Sequence, residues 1–164
     1  MGKFEDQVNK FARKYEARLR AIGRTAVQET VSIAQEVAIP PNAAQGAVSS
    51  GGKLGGGGGR MRVDTGFLRA SIQAALHTMP SGPTKNEGTH GGKKKYPVGS
   101  QASGEPVAAM LLRWDPNGSD VLFVGWTAGY ARIREAHDGF NRGAVEKWDQ
   151  TVLKAVKKVE ASFG

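Results

Sequence analysis

The chain contains no cysteine. Disulfides, thiolate metal sites and a thiol nucleophile are therefore excluded, and the composition suits folding in a reducing cytoplasm. No stretch approaches the ~18–20 consecutive apolar residues that a bilayer-spanning helix needs. The opening residues, Met1-Gly2-Lys3-Phe4-Glu5-Asp6, are charged and lack the apolar segment of a secretory signal. These absences predict a soluble, non-secreted protein with no membrane partner. Histidine is scarce. His77, His90 and His137 are scattered, form no His-x-x-x-His pair and have no carboxylate pair at ligand spacing. Neither Ser49 nor Ser71 lies in a Gly-x-Ser-x-Gly elbow. We therefore expect no catalytic residue, no metal ligand set and no cofactor: the chain does not read as an enzyme.

Glycine and positive charge are what the sequence has in excess. There are 23 glycines in 164 residues, and apolar residues make up 39%, so the ordered core is smaller than the length suggests. The densest glycine cluster invites a phosphate-loop reading, which fails on spacing. Gly52-Lys53 is followed by Leu54 instead of Ser or Thr, and five residues instead of four separate Gly46 from Gly52. The formal net charge is +8, from 23 basic and 15 acidic residues. That balance favours proximity to something anionic: nucleic acid, a membrane surface or an acidic partner face. It supports non-specific contact and indicates no reading of base sequence.

Residues 3–39 have helical periodicity. Phe4, Val8, Phe11, Tyr15, Leu19, Ile22, Ala26, Ile33 and Val37 recur at steps that keep them on one face. Lys10, Arg13, Lys14, Arg18, Arg20 and Arg24 are assigned to the opposite face. Pro40-Pro41 would stop this helix, because proline cannot donate to the ladder and disfavours helical geometry in the residue before it. A helix over that span would run ~55 Å at 1.5 Å per residue. It must protrude, pack on a neighbouring subunit, or break near Gly23.

Two segments, 40–62 and 80–105, are rich in glycine, serine and proline and read as flexible loops. Loops this long tend to be functional or disordered and not idle connectors, and we expect these to order only against partner subunits or to line a channel. Lys85, Lys93, Lys94 and Lys95 form a basic patch in the second. The bland reading is a solubilising loop; the functional one is contact with DNA phosphates or an acidic partner face.

The regions 63–79 and 106–140 supply the sheet. Asp64 or Thr65 can cap a short turn from Gly66, and residues 71–79 alternate like a strand. Residues 107–114 and 121–126 flank Asp115-Pro116-Asn117-Gly118, a turn signal, and look like a hairpin. The Ala108-Ala109-Met110-Leu111-Leu112 stretch of the first arm also suits a helix. A closing amphipathic helix is expected over 141–163, with Asn141 as its cap. Val145, Trp148, Val152, Val156, Val159 and Phe163 share one face. The expectation is a single α+β domain: a small antiparallel sheet packed by a long N-terminal helix and a C-terminal helix.

Two further segments stand out. One carries Asp64, Thr65, Gly66, Leu68, Arg69 and Ser71. The other carries Val124-Gly125, then Tyr130-Ala131 and Glu135. In this order they resemble the tail-completion, or neck, protein family of long-tailed bacteriophages, whose members carry Asp-Thr-Gly-x-Leu-Arg-x-Ser, a later Val-Gly strand, Tyr-Ala and a Glu. Phe140 before the last helix and Trp148 within it fit the same layout. The chain departs from the pattern after Glu135, where Ala136-His137-Asp138-Gly139 replaces the usual aromatic and glycine.

The resemblance implies a virion structural protein assembled in the bacterial cytoplasm. It implies a homo-oligomeric ring, expected to be a hexamer, at the head–tail junction. The partners it implies are the head connector and the tail tube or terminator proteins, with DNA passing through. Two alternatives stand beside it: a tail terminator capping the tube, and a small basic DNA-binding protein without sequence preference. The second predicts steeply salt-dependent DNA affinity of the monomer.

Overall fold

The computed structural model describes residues 2–36, 60–61, 67–81 and 107–163. In chain order the elements are α1 (Lys3–Ala34), α2 (Phe67–Ala70), β1 (Ile72–Leu76), α3 (Val107–Arg113), β2 (Leu122–Trp126), α4 (Ala131–Asp138), α5 (Phe140–Val145) and α6 (Trp148–Phe163). The α+β expectation holds: a two-stranded antiparallel sheet is packed by a long N-terminal helix and a C-terminal helix.

α1 runs unbroken through Gly23 and ends at Ala34, capped by Gln35, short of the expected 39. Tertiary bonds mark its end. The Glu36 carbonyl accepts from the Met61 amide at 2.9 Å, and the Gln35 side-chain amide donates to the Arg69 carbonyl at 2.9 Å. The glycine at 23 serves close approach: a Cβ there would sit 3.2 Å from two ring carbons of Pro116.

The hairpin expectation is corrected. Residues 107–113 are helix α3, in keeping with the helix preference of its Ala, Met and Leu run. β2 pairs instead with β1, with Ile72 opposite Trp126 and Leu76 opposite Leu122. The turn signal was real, but it joins a helix to a strand: the Asp115 carboxylate accepts from the Asn117 amide at 3.1 Å, and its carbonyl accepts from Gly118 at 3.1 Å. β1 is shorter than 71–79. His77, in the left-handed region at φ 64°, turns the chain out of the strand.

The closing helix starts differently from the expectation. Asn141 lies inside α5 and is not its cap; Gly139, at φ 63° and ψ 27°, precedes the helix. A tightened turn at Glu146–Lys147, with the Lys147 amide on the Ala144 carbonyl at 3.2 Å, separates α5 from α6. α6 buries Thr151, Ala155 and Val159. The valines at 152 and 156 lie half-buried at the edge of that face. α1 answers with Ala26 and Ala34, also buried. Small residues on both helices let their backbones approach closely.

A second buried cluster, Met61, Leu68, Ala128, Ala131 and Phe140, holds the sheet to α4 and α5. Trp126 meets Phe140 edge-to-face at 4.9 Å, a geometry that contributes about 0.5–1.5 kcal/mol beyond the area it buries. No helix among the described residues is long and apolar enough to cross a membrane.

Candidate assembly surface

The apolar stripe of α1 is continuous in sequence but only half covered. α6 packs along the C-terminal half of the helix and stops where its last residue, Phe163, meets Arg18 at 6.0 Å. The rest of the body reaches α1 only a little further, through an Asn117 side-chain bond to the Glu16 carbonyl at 2.9 Å. Every residue from Gly2 to Glu16 is exposed. Lys3 to Glu16 thus form a bare arm of about 20 Å at 1.5 Å per residue. Along it lie Phe4 (78% exposed), Val8 (47%), Phe11 (72%) and Tyr15 (55%), followed by Leu19 (40%). Phe11 and Tyr15 stack at 6.5 Å.

The body below the arm carries a complementary feature. An open, mostly apolar groove of about 440 Å³ is walled by Val31 of α1, Leu122 and Val124 of β2, and all three tryptophans of the chain, Trp114, Trp126 and Trp148. Alternation along β2 sends Leu122, Val124 and Trp126 to this face, while Phe123 and Gly125 face the other way. Val145 at the end of α5 and Trp148 at the start of α6 form its solvent-facing rim and remain 57% and 41% exposed.

The motif residues occupy structural positions. Asp64, Thr65 and Gly66 lie outside the described residues, as do Lys85, Lys93, Lys94, Lys95 and His90. The described members of the two segments come together around the sheet. Leu68 and Ala131 are in the buried cluster, with Tyr130 packed against it. Ser71 is fully buried, and its hydroxyl donates to the Leu68 carbonyl at 2.8 Å. Its own carbonyl accepts from both the amide and the hydroxyl of Thr127, at 3.0 and 3.1 Å, latching the start of β1 to the end of β2. Gly125 stands opposite Gln73 in the ladder and leaves room for Pro80, 3.5 Å from where a Cβ would lie. Arg69 is exposed and takes part through its carbonyl. Glu135 accepts from the Asn141 and Arg142 amides at 2.8 and 3.0 Å. It thereby caps the otherwise unpaired N-terminus of α5 from one helix away.

Sequence reasoning missed Arg20 and Arg24, which it placed on the solvent face. Arg20 grips Asp115, and Arg24 donates to the Leu112 and Trp114 carbonyls at 2.7 and 2.8 Å, closing the C-terminus of α3. The only signal for this was a basic pair one turn apart, which is common on any helix. His77 Nε2 lies 3.3 Å from Asp120. Among the described residues no cluster of His, Cys, Asp or Glu could hold a metal ion. No protein-family model, curated protein or solved structure matches the chain.

Proposed function

We propose that this chain is a structural subunit of the neck of a long-tailed bacteriophage particle. It works as a closed ring of identical copies that completes the tail and joins it to the head connector. The observation that carries the reading is the bare half of α1. A monomer rarely leaves a contiguous apolar patch of more than a few hundred Å² in water. A protruding helix with an aromatic stripe has a use only when another molecule covers it. The resemblance in the Leu68–Ser71 and Gly125–Glu135 segments supplies the setting, and the +8 charge suits a junction through which DNA passes. In this reading the motif residues build the body of the subunit and perform no chemistry, as the Ser71 latch and the Glu135 cap illustrate.

The test combines a mass with a position. The purified chain should assemble into one closed oligomer of defined mass, and a particle image should place it at the collar between capsid and tube. Localisation elsewhere in the particle, or turnover of a substrate by a single copy, would overturn the reading. Steeply salt-dependent DNA binding by the isolated monomer would favour the DNA-binding alternative instead.

A further inference from the structure

We infer that the bare arm of α1 from one copy lies in the three-tryptophan groove of the next, so that copies join head to tail through two different surfaces. The inference rests on the ring reading and adds which face meets which.

The arm and the groove are both apolar and both open, one convex and one concave. They cannot satisfy each other within one chain. Val27, Thr30, Val31 and Ala34 of α1 help to wall the groove, and the arm is the other end of the same unbroken helix. A straight helix cannot fold back on itself, so a second copy must bring the arm. A contact between two different surfaces of one chain propagates, and it closes into a ring when the rotation per copy divides a circle.

The area is consistent with that outcome. At about 150–250 Å² per aromatic side chain, the exposed fractions of Phe4, Phe11 and Tyr15 leave roughly 400 Å² of ring surface in water. With Val8, Leu19 and the matching groove wall, one contact buries on the order of 1,000 Å² in total, below the ~1,200–2,000 Å² of a stable pair. In a ring each copy makes the contact twice, once with its arm and once with its groove. Single pairs are therefore weak, and the closed form is the stable one.

Two substitutions on already exposed residues separate the surfaces. Phe11→Glu spoils the arm and keeps the groove; Val145→Glu spoils the groove rim and keeps the arm. The far-UV circular dichroism of each variant should match the wild type, and its thermal midpoint should match that of wild type diluted to the monomer. Each alone should be monomeric. Mixed at concentrations well above those at which the wild type assembles, they should form a weak one-to-one pair and nothing larger, because only one arm and one groove remain intact. All three tryptophans line the groove, so their fluorescence should shift to the blue on mixing. A chain without native cysteine also permits a direct check. Ala12→Cys combined with Glu146→Cys should cross-link copies under mild oxidation, and neither single cysteine should.

If Val145→Glu still forms rings, or Ala12→Cys alone cross-links arm to arm, the docking is overturned while the ring reading stands. If the mixture stays monomeric with unshifted emission at every concentration, although the wild type forms rings, the docking is likewise overturned. A wild-type chain that stays monomeric at every concentration would remove both.

Discussion

Arg20 holds Asp115 side-on with one edge of its guanidinium, Nε to Oδ1 at 3.1 Å and Nη2 to Oδ2 at 3.0 Å, across 95 residues of sequence. This two-point bond pins the connection between α3 and β2 to the middle of α1. The same helical turn supplies Gly23 beneath Pro116 and Arg24 beneath the end of α3. The groove wall at Trp114 is thus set by the residues that anchor its neighbour.

Acid should loosen this anchor. The Arg20 hydrogen bond, followed by the Asn117 amide, holds the Asp115 carboxyl below its ordinary value. A carboxylate depressed in the folded state adds stability that is fully present above its unfolded pKa of about 3.9. The contribution declines as pH falls from there through the lower folded value. Urea unfolding of the wild type and Asp115→Asn should therefore differ by a constant amount at neutral pH, with the gap closing only below about pH 4. A gap that closes near pH 6 would point to another group.

Gly23→Ala tests the close approach. In an exposed helix interior this change raises stability by about 0.8–1 kcal/mol. Here the new Cβ would meet the Pro116 ring at 3.2 Å, and the Asp115 anchor and the Asp115–Gly118 turn restrain that ring. The expected result is a net loss of up to about 1 kcal/mol. Pro116→Gly in the same chain removes both contacting carbons and should restore the helix gain, giving a coupling in the double-mutant cycle well above the ~0.3–0.5 kcal/mol scatter of independent sites.

Glu135→Ala should cost about 1 kcal/mol by urea unfolding, within the range of a lost helix cap. Glu135→Gln keeps a single acceptor oxygen and should lose less. Because the capped helix starts the rim of the groove at Val145, the Ala variant should also weaken association more than its stability loss accounts for. Equal assembly at matched stability would argue against that link.

The parts of the fold that were legible in the sequence are those whose signal is local. The α1 stripe from Phe4 to Ala26 shows helical period whatever covers it, and the strand preference of Leu122–Trp126 needs no partner to be seen. What stayed hidden depends on distant neighbours. The 107–113 stretch had both a strand and a helix reading, and only the pairing of β2 with β1 decides between them. α4 fell inside the 106–140 region assigned to the sheet; its Ala131 is buried against Leu68 and Phe140, and Asp138 is buried as well, which composition cannot show. The valine face of the last helix was displaced for a similar reason: Thr151 and Ala155 win the contact with α1 because they are small. Of the candidate site, the bare arm was anticipated by the length of α1. The groove was not, since Trp114, Trp126 and Trp148 are far apart in sequence and no periodicity joins them.

The division of α1 into a covered half and a bare half makes a final contrast measurable. The described part of residues 1–14, from Gly2 to Lys14, carries only exposed side chains, and removing 1–14 should leave the unfolding free energy of the monomer within about 0.5 kcal/mol. Phe140→Ala, at the centre of the buried cluster and against Trp126, should cost about 3–5 kcal/mol. The effects on assembly should be reversed. The truncated chain should remain folded and monomeric at concentrations where the wild type is oligomeric. Phe140→Ala, at temperatures where it is still folded, keeps both the arm and the outer groove and should associate. If truncation destabilises the monomer by more than about 2 kcal/mol, the arm packs on its own body in solution, and the surface assigned to a neighbour is already filled.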